Sequence, residues 1–228
     1  MSEIQLHSKE INLPLIMECL QASFSERTNY RHPYPYFVVK NLLPDPALPL
    51  LRDLPYEAPN LEGPSGKRDL HNATRNYFDR PNQDAHEIIR LICEAFQSSQ
   101  TVRAIEQAFQ VDLAETYLRI EYAQDTDGFW LEPHSDLGVK RFTLLFYLSD
   151  DPRHLGLGTD IYDDRKAYLT RVPFIPNSAM IFVPSDITMH GFEPRPIAGV
   201  RKSLIINYVT QDWRAREQLA FPDRPVPS

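Results

Sequence analysis

The chain has 228 residues, a formal net charge of −7, and hydrophobic and aromatic fractions of 42% and 11%. That length and composition support a buried core and exclude a disordered chain. The acidic balance, with no long run of Lys or Arg, argues against a nucleic-acid backbone binder. No stretch approaches the ~18 uninterrupted apolar residues of a membrane span.

The N-terminus, MSEIQLHSKEINLPL, lacks a basic start followed by a long apolar core, so a targeting segment is not expected there. Cys19 and Cys93 fall in apolar helical patterns and form no C-x-x-C pair, which points to reduced thiols and a cytoplasmic setting. Twenty Pro against eight Gly predicts many short elements with stiff corners.

In chain order, Pro14 to Phe24 reads as a helix with Pro14 in its first turn. Tyr36 to Val39 reads as a strand, and Asp45-Pro46 opens a short helix through Leu54. Residues 55–72 read as a loop. From Asp84 to Phe96 the apolar residues Ala85, Ile88, Ile89, Ile92, Ala95 and Phe96 follow a helical stripe, and Val102, Ile105 and Phe109 mark a second helix. Both stripes call for burial against the outside of a sheet. From residue 115 the pattern turns to strands: 116–122, 142–148, 159–162, 167–172, 179–183 and 203–209. A short helical pattern begins at Trp213. Strands this short and closely spaced predict a mainly β fold with flanking helices, a sandwich or jelly roll.

His134-Ser135-Asp136 is the chemically informative triplet. Side chains two apart on an extended segment share a face. His190, from a later strand, completes a set of two imidazoles and one carboxylate. Such a set suits a non-haem Fe(II) with open positions, or a zinc with a water. Eleven residues beyond His190, Arg201-Lys202-Ser203 supplies a guanidinium and a hydroxyl, as a dicarboxylate co-substrate requires. His7, His32, His71, His86 and His154 have no partner at ligand spacing.

In these residues the chain resembles the Fe(II)/2-oxoglutarate-dependent oxygenases, in the branch that contains the prolyl hydroxylases. The family pattern is H-x-D, a distal His on a later strand, and an Arg or Lys shortly after. It reads here as His134, Asp136, His190 and Arg201. The resemblance implies a double-stranded β-helix core over 113–210, a supporting mixed region over 1–112 packed on the major sheet, and a tail over 211–228, all one domain. It implies Fe(II), 2-oxoglutarate and O₂ as cofactor and co-substrates, with ascorbate as a supporting reductant. Arg201, Ser203, Tyr147 and Tyr122 would line the 2-oxoglutarate pocket. Decarboxylation to succinate and CO₂ would be coupled to hydroxylation of an unactivated C–H bond. Asp136 fits that outcome, or a desaturation or ring closure, because halogenating members carry Gly or Ala there. The segment Gly156-Leu157-Gly158-Thr159-Asp160 is similar to the family's Gly-Gly-Glu-Thr turn but inserts Leu157.

The candidate substrate contacts are Arg119, Phe129, Trp130 and Arg195; Lys67, Arg68, His71, Arg75 and Tyr77 in residues 63–80 read as a solvated loop face, with a lid cluster over the substrate as the alternative. The expected substrate is a small molecule such as an amino acid, a sugar derivative or a natural-product intermediate, with neither nucleic acid nor membrane as partner. The alternatives are a protein side chain, which needs an open groove, and a non-catalytic metal-binding sensor.

Overall fold

A computed structural model describes residues 11–59, 66, 75–136 and 138–227. Most of the helices precede the main run of strands. Helix α1 (Leu13–Ser25) starts where the Asn12 side chain accepts from the Leu15 amide at 3.0 Å, with Pro in the first turn. Helix α2 (Ala47–Arg52) is short. Helix α3 (Arg80–Ala85) is capped by Asp79, which accepts from the Asn82 amide.

The single helix expected over Asp84–Phe96 is divided at His86, whose extended backbone (φ −134°, ψ 113°) ends α3 and opens α4 (Glu87–Gln97). The reason lies in the side chains. Arg80–Ala85 lacks an apolar stripe, and its anchor is Gln83, whose amide donates to the carbonyls of Phe78 at 2.9 Å and Ala220 at 2.8 Å. The stripe proper begins at Ile88, and Ile88, Ile89, Ile92, Ala95 and Phe96 are all buried. Ser98 caps α5 (Ser99–Phe109). The helical pattern expected from Trp213 amounts to a 3₁₀ turn at Arg216–Gln218.

Two antiparallel sheets follow. The larger has the order β1 (Thr28–Tyr30), β2 (Tyr36–Lys40), β9 (Ser178–Phe182), β6 (Lys140–Tyr147), β11 (Arg201–Val209), β4 (Tyr117–Asp125), β3 (Asn76–Tyr77). The smaller has the order β5 (Leu131–His134), β10 (His190–Phe192), β7 (Asp160–Tyr162), β8 (Tyr168–Arg171).

Period-two alternation sorts the large sheet into two faces. Leu118, Ile120 and Tyr122 of β4, Phe142, Leu144 and Phe146 of β6, and Leu204, Ile206 and Tyr208 of β11 join the helices in one buried cluster. The intervening residues face the other way. Tyr147, Met180 and Phe182 there pack with Ile161 of the small sheet in a second cluster. The helices thus cover the outside of the large sheet, as their stripes require. Between the sheets, Arg119, Glu121, Tyr147, Arg201, Ser203 and Ile205 line a cavity of about 310 Å³ together with residues of the small sheet. Among the described residues no helix is long and apolar enough to cross a membrane.

Candidate active site

His134 and His190 stand directly opposite each other in the β5–β10 ladder, with ring centroids 4.4 Å apart. Each ring is fixed the same way. His134 Nδ1 lies 2.9 Å from the Glu132 carbonyl and His190 Nδ1 lies 3.0 Å from the Thr188 carbonyl. A carbonyl only accepts, so each Nδ1 carries the proton and each Nε2 of the neutral ring presents a lone pair. Both Nε2 atoms lie 3.9 Å from Asp136, one from Oδ1 and the other from Oδ2. The three ligand-type atoms lie within 4.8 Å of one another. Two imidazole lone pairs and one carboxylate are the donor set of a facial divalent-metal site.

Asp136 is buried and doubly supported. Lys140 Nζ donates to Oδ1 at 2.7 Å and Thr143 Oγ1 donates to Oδ2 at 2.9 Å. Burial by itself would push the carboxyl up, but Lys140, His190 and His134 outweigh it and hold it well below the usual carboxylate range. His190 is pushed down to about 4, by burial first and by the neighbouring His134 second. The pair is therefore an ionised carboxylate beside a neutral imidazole at neutral pH. Thr143 Oγ1 also accepts from Asn207 Nδ2 at 3.0 Å, and Asn207 Oδ1 accepts from Arg119 Nη1 at 3.2 Å. A chain of polar contacts thus runs from the Asp136 carboxylate to Arg119.

Arg201, Ser203 and Tyr147 line the same cavity as His134, Asp136 and His190. Arg201 is buried. It is ion-paired to Asp125, its direct neighbour across the β4–β11 ladder, and its Nε donates to the Leu157 carbonyl at 2.6 Å. The inserted Leu157 thereby orients the guanidinium. Phe174 and Phe192 lie 5.0 and 4.9 Å from its carbon, which keeps water away from its faces. The Tyr147 hydroxyl meets Thr159 Oγ1 at 2.9 Å, and burial raises its pKa, so it stays a neutral phenol.

No family model and no curated protein sequence matches the chain. Solved structures do. A prolyl 4-hydroxylase from Phytophthora capsici is 13% identical, with a TM-score of 0.55 over 94% of this chain and 68% of that one. A Pseudomonas putida prolyl-4-hydroxylase is 16% identical, with a TM-score of 0.53 over 87% of this chain and 96% of that one. A Trichoplax adhaerens prolyl hydroxylase, solved in complex with a hypoxia inducible factor peptide fragment, is 11% identical, with a TM-score of 0.55 over 94% and 96%. The chain has the prolyl-hydroxylase fold.

Within that fold, not every residue singled out from the sequence faces the cavity. Tyr122 does not line it. It sits on the helix side of β4, donates to the Arg52 carbonyl at 3.2 Å and packs on Tyr56 and Phe78. The alternation of β4 is the cause: Arg119 and Glu121 face inward, so Tyr122 faces out. Arg195 is a brace. It binds Asp160 Oδ2 at 2.5 Å and the Gly158 carbonyl at 2.8 Å, with its carbon 3.6 Å from the Phe192 centroid. Trp130 lies one layer back, against Gly66, where an added Cβ would meet its ring at 2.3 Å. Phe129 and Arg119 do line the cavity. Of the lid cluster, Lys67, Arg68 and His71 lie outside the described residues, while Arg75 pairs with Glu121 at 2.9 Å.

Sequence reasoning missed Lys140, Thr143 and Asn207 around Asp136, Asp125 beside Arg201, Thr159 beside Tyr147, and Glu121 and Trp213 at the far end. The signal for several was present. Arg119, Glu121 and Asp125 recur at period two on one strand, and charged residues at that period on an otherwise apolar strand mark a polar cavity face.

Proposed function

We propose that the protein is an Fe(II)- and 2-oxoglutarate-dependent dioxygenase that hydroxylates an unactivated C–H bond of a small molecule. Its products would include succinate and CO₂. The observation that carries this reading is the convergence of two Nδ1-anchored imidazoles and an ionised carboxylate beside a buried guanidinium in one cavity. Zinc alone would not require Arg201, Ser203 and Tyr147 around the same space.

In this reading the chain is one domain with a double-stranded β-helix core. His134, Asp136 and His190 would hold the iron. When bound, the iron supplies the centre at which O₂ and the 2-oxo acid react to oxidise the substrate. The remaining work belongs to the side chains. Lys140 and Thr143 keep Asp136 ionised and oriented. Arg201, Ser203 and Tyr147 take the distal carboxylate of 2-oxoglutarate, where the guanidinium fork and a neutral phenol supply donors to an acceptor-only group. Phe174 and Phe192 exclude water from that contact and so strengthen it.

The cavity volume of about 310 Å³ suits a small ligand more than a protein loop. No nucleic acid or membrane enters this reading. The two free cysteines agree with a reducing cytoplasmic setting. The test is release of succinate from 2-oxoglutarate by the purified chain with Fe(II), ascorbate and air. Small molecules and peptides are then compared as stimulators of turnover. Stimulation by peptides alone would replace the small-molecule substrate with a protein side chain.

A further inference from the structure

The cavity has a second cationic end, remote from Arg201 and not used by the metal or the co-substrate. Arg119, on β4, opposes Asn207 across the ladder, and Asn207 opposes Thr143. Arg119 is therefore two strand spacings, about 10 Å, from the strand that supports Asp136. Its guanidinium is held on three sides by Gln218, Asn207 and Glu121 at 3.0, 3.2 and 3.0 Å. Tyr77 and Trp213 flank it at 4.9 and 4.8 Å. Three bonds leave two of its five N–H donors for another partner.

Arg75 and Arg119 both bring guanidiniums to this end, beside the carboxylate of Glu121. Trp213 Nε1 is buried and meets no hydrogen-bond partner among the described residues. A buried N–H without an acceptor is unfavourable, so such a group at a cavity wall calls for an acceptor from a ligand. Finally, Arg75, Arg119 and Trp213 also line a second cavity, of about 720 Å³. They stand where the two spaces meet, so a ligand reaching them from the metal side has room beyond.

We infer that this end is the substrate's anchor and that the substrate is a carboxylic acid, its carboxylate accepting from Arg119 and the Trp213 indole. The inference rests on the oxygenase reading for its word "substrate", but the anchoring itself is a binding event. The separation from Asp136 puts the oxidised carbon several bonds from the carboxylate, not next to it. Arg201 serves the co-substrate and Arg119 the substrate, the two arginines standing six residues apart along the β4–β11 ladder.

The test is calorimetric binding to the metal-free protein, with excess 2-oxoglutarate present to fill the Arg201 end. The probes are the free amino acids and short straight-chain carboxylic acids, each beside its methyl ester. At least one acid is expected to bind about tenfold or more tightly than its ester, the effect of one charged hydrogen bond. Trp213→Phe keeps the aromatic face and removes the donor. It should cut that acid-over-ester ratio about tenfold while ester binding stays as it was. If no acid binds, or if acids and esters bind alike, the anchor is disproved. So it is if the Trp213→Phe ratio is unchanged. Succinate release by the unmodified protein without any substrate judges the oxygenase reading separately. Turnover without acid preference sinks only the anchor, and acid binding without turnover sinks only the oxygenase.

Discussion

Arg201 and Asp125 face each other across the β4–β11 ladder, both buried, and form an ion pair inside the proposed co-substrate recess. The pair is local and complete before any ligand arrives. Removing one member breaks a buried ion pair in a low-dielectric site. Asp125→Ala should therefore destabilise the protein by about 3–5 kcal/mol, read as a lowered urea midpoint. Asp125→Asn, which keeps an acceptor oxygen, should lose less.

The same guanidinium should matter for 2-oxoglutarate and not for the metal. Arg201→Ala is expected to weaken 2-oxoglutarate binding at least tenfold, the loss of a charge-assisted contact of about 1.5–3 kcal/mol. Fe(II) affinity measured without co-substrate should stay the same. Unchanged 2-oxoglutarate affinity would remove Arg201 from the recess.

Thr143 supports Asp136 and is not one of the three proposed ligands. Thr143→Val preserves shape but deletes the donor to Asp136 and the acceptor for Asn207. Loss of an oriented supporting hydrogen bond weakens metal sites about 10–100-fold. A metal titration of the variant should show that loss while the far-ultraviolet circular dichroism remains native. Equal affinity would mean that Lys140 alone suffices to orient the carboxylate.

The metal-free protein should lose stability on mild acidification because of His190. Its folded pKa, about 4, lies below the ordinary imidazole value of 6.5. Between those values the unfolded chain takes up a proton that the folded site refuses, so stability falls as pH drops from 6.5 to 4 and levels off below. The shift corresponds to about 3 kcal/mol. Asp136 acts in a lower range, since its folded pKa lies below its unfolded one and its contribution fades only under pH 4. Urea midpoints between pH 7 and 4 should fall more steeply in the unmodified protein than in His190→Gln. Parallel slopes would contradict the buried neutral imidazole.

Much of this was legible in the residues because it obeys short-range rules. The α4 stripe, the β6 and β11 runs and the His-x-Asp spacing are local patterns, and each appears where the pattern puts it. What was illegible depends on pairing. Asp125 becomes the partner of Arg201 only through the β4–β11 register, and Thr143 reaches Asp136 only once β6 lies beside the loop after β5. Tyr122 shows the opposite failure. Its residue type fits a pocket, but a one-residue offset on a strand reverses the face. The break at His86 escaped notice because Ala85 extends the apolar stripe without being needed by it.

The central claim is tested most directly by succinate release from 2-oxoglutarate in the purified chain, with and without Fe(II), alongside Asp136→Ala. The unmodified protein should form succinate only when Fe(II) is present. Asp136→Ala, which lacks the single anionic ligand, should form essentially none. Absence of succinate from the iron-loaded protein, or undiminished release by Asp136→Ala, would contradict the assignment.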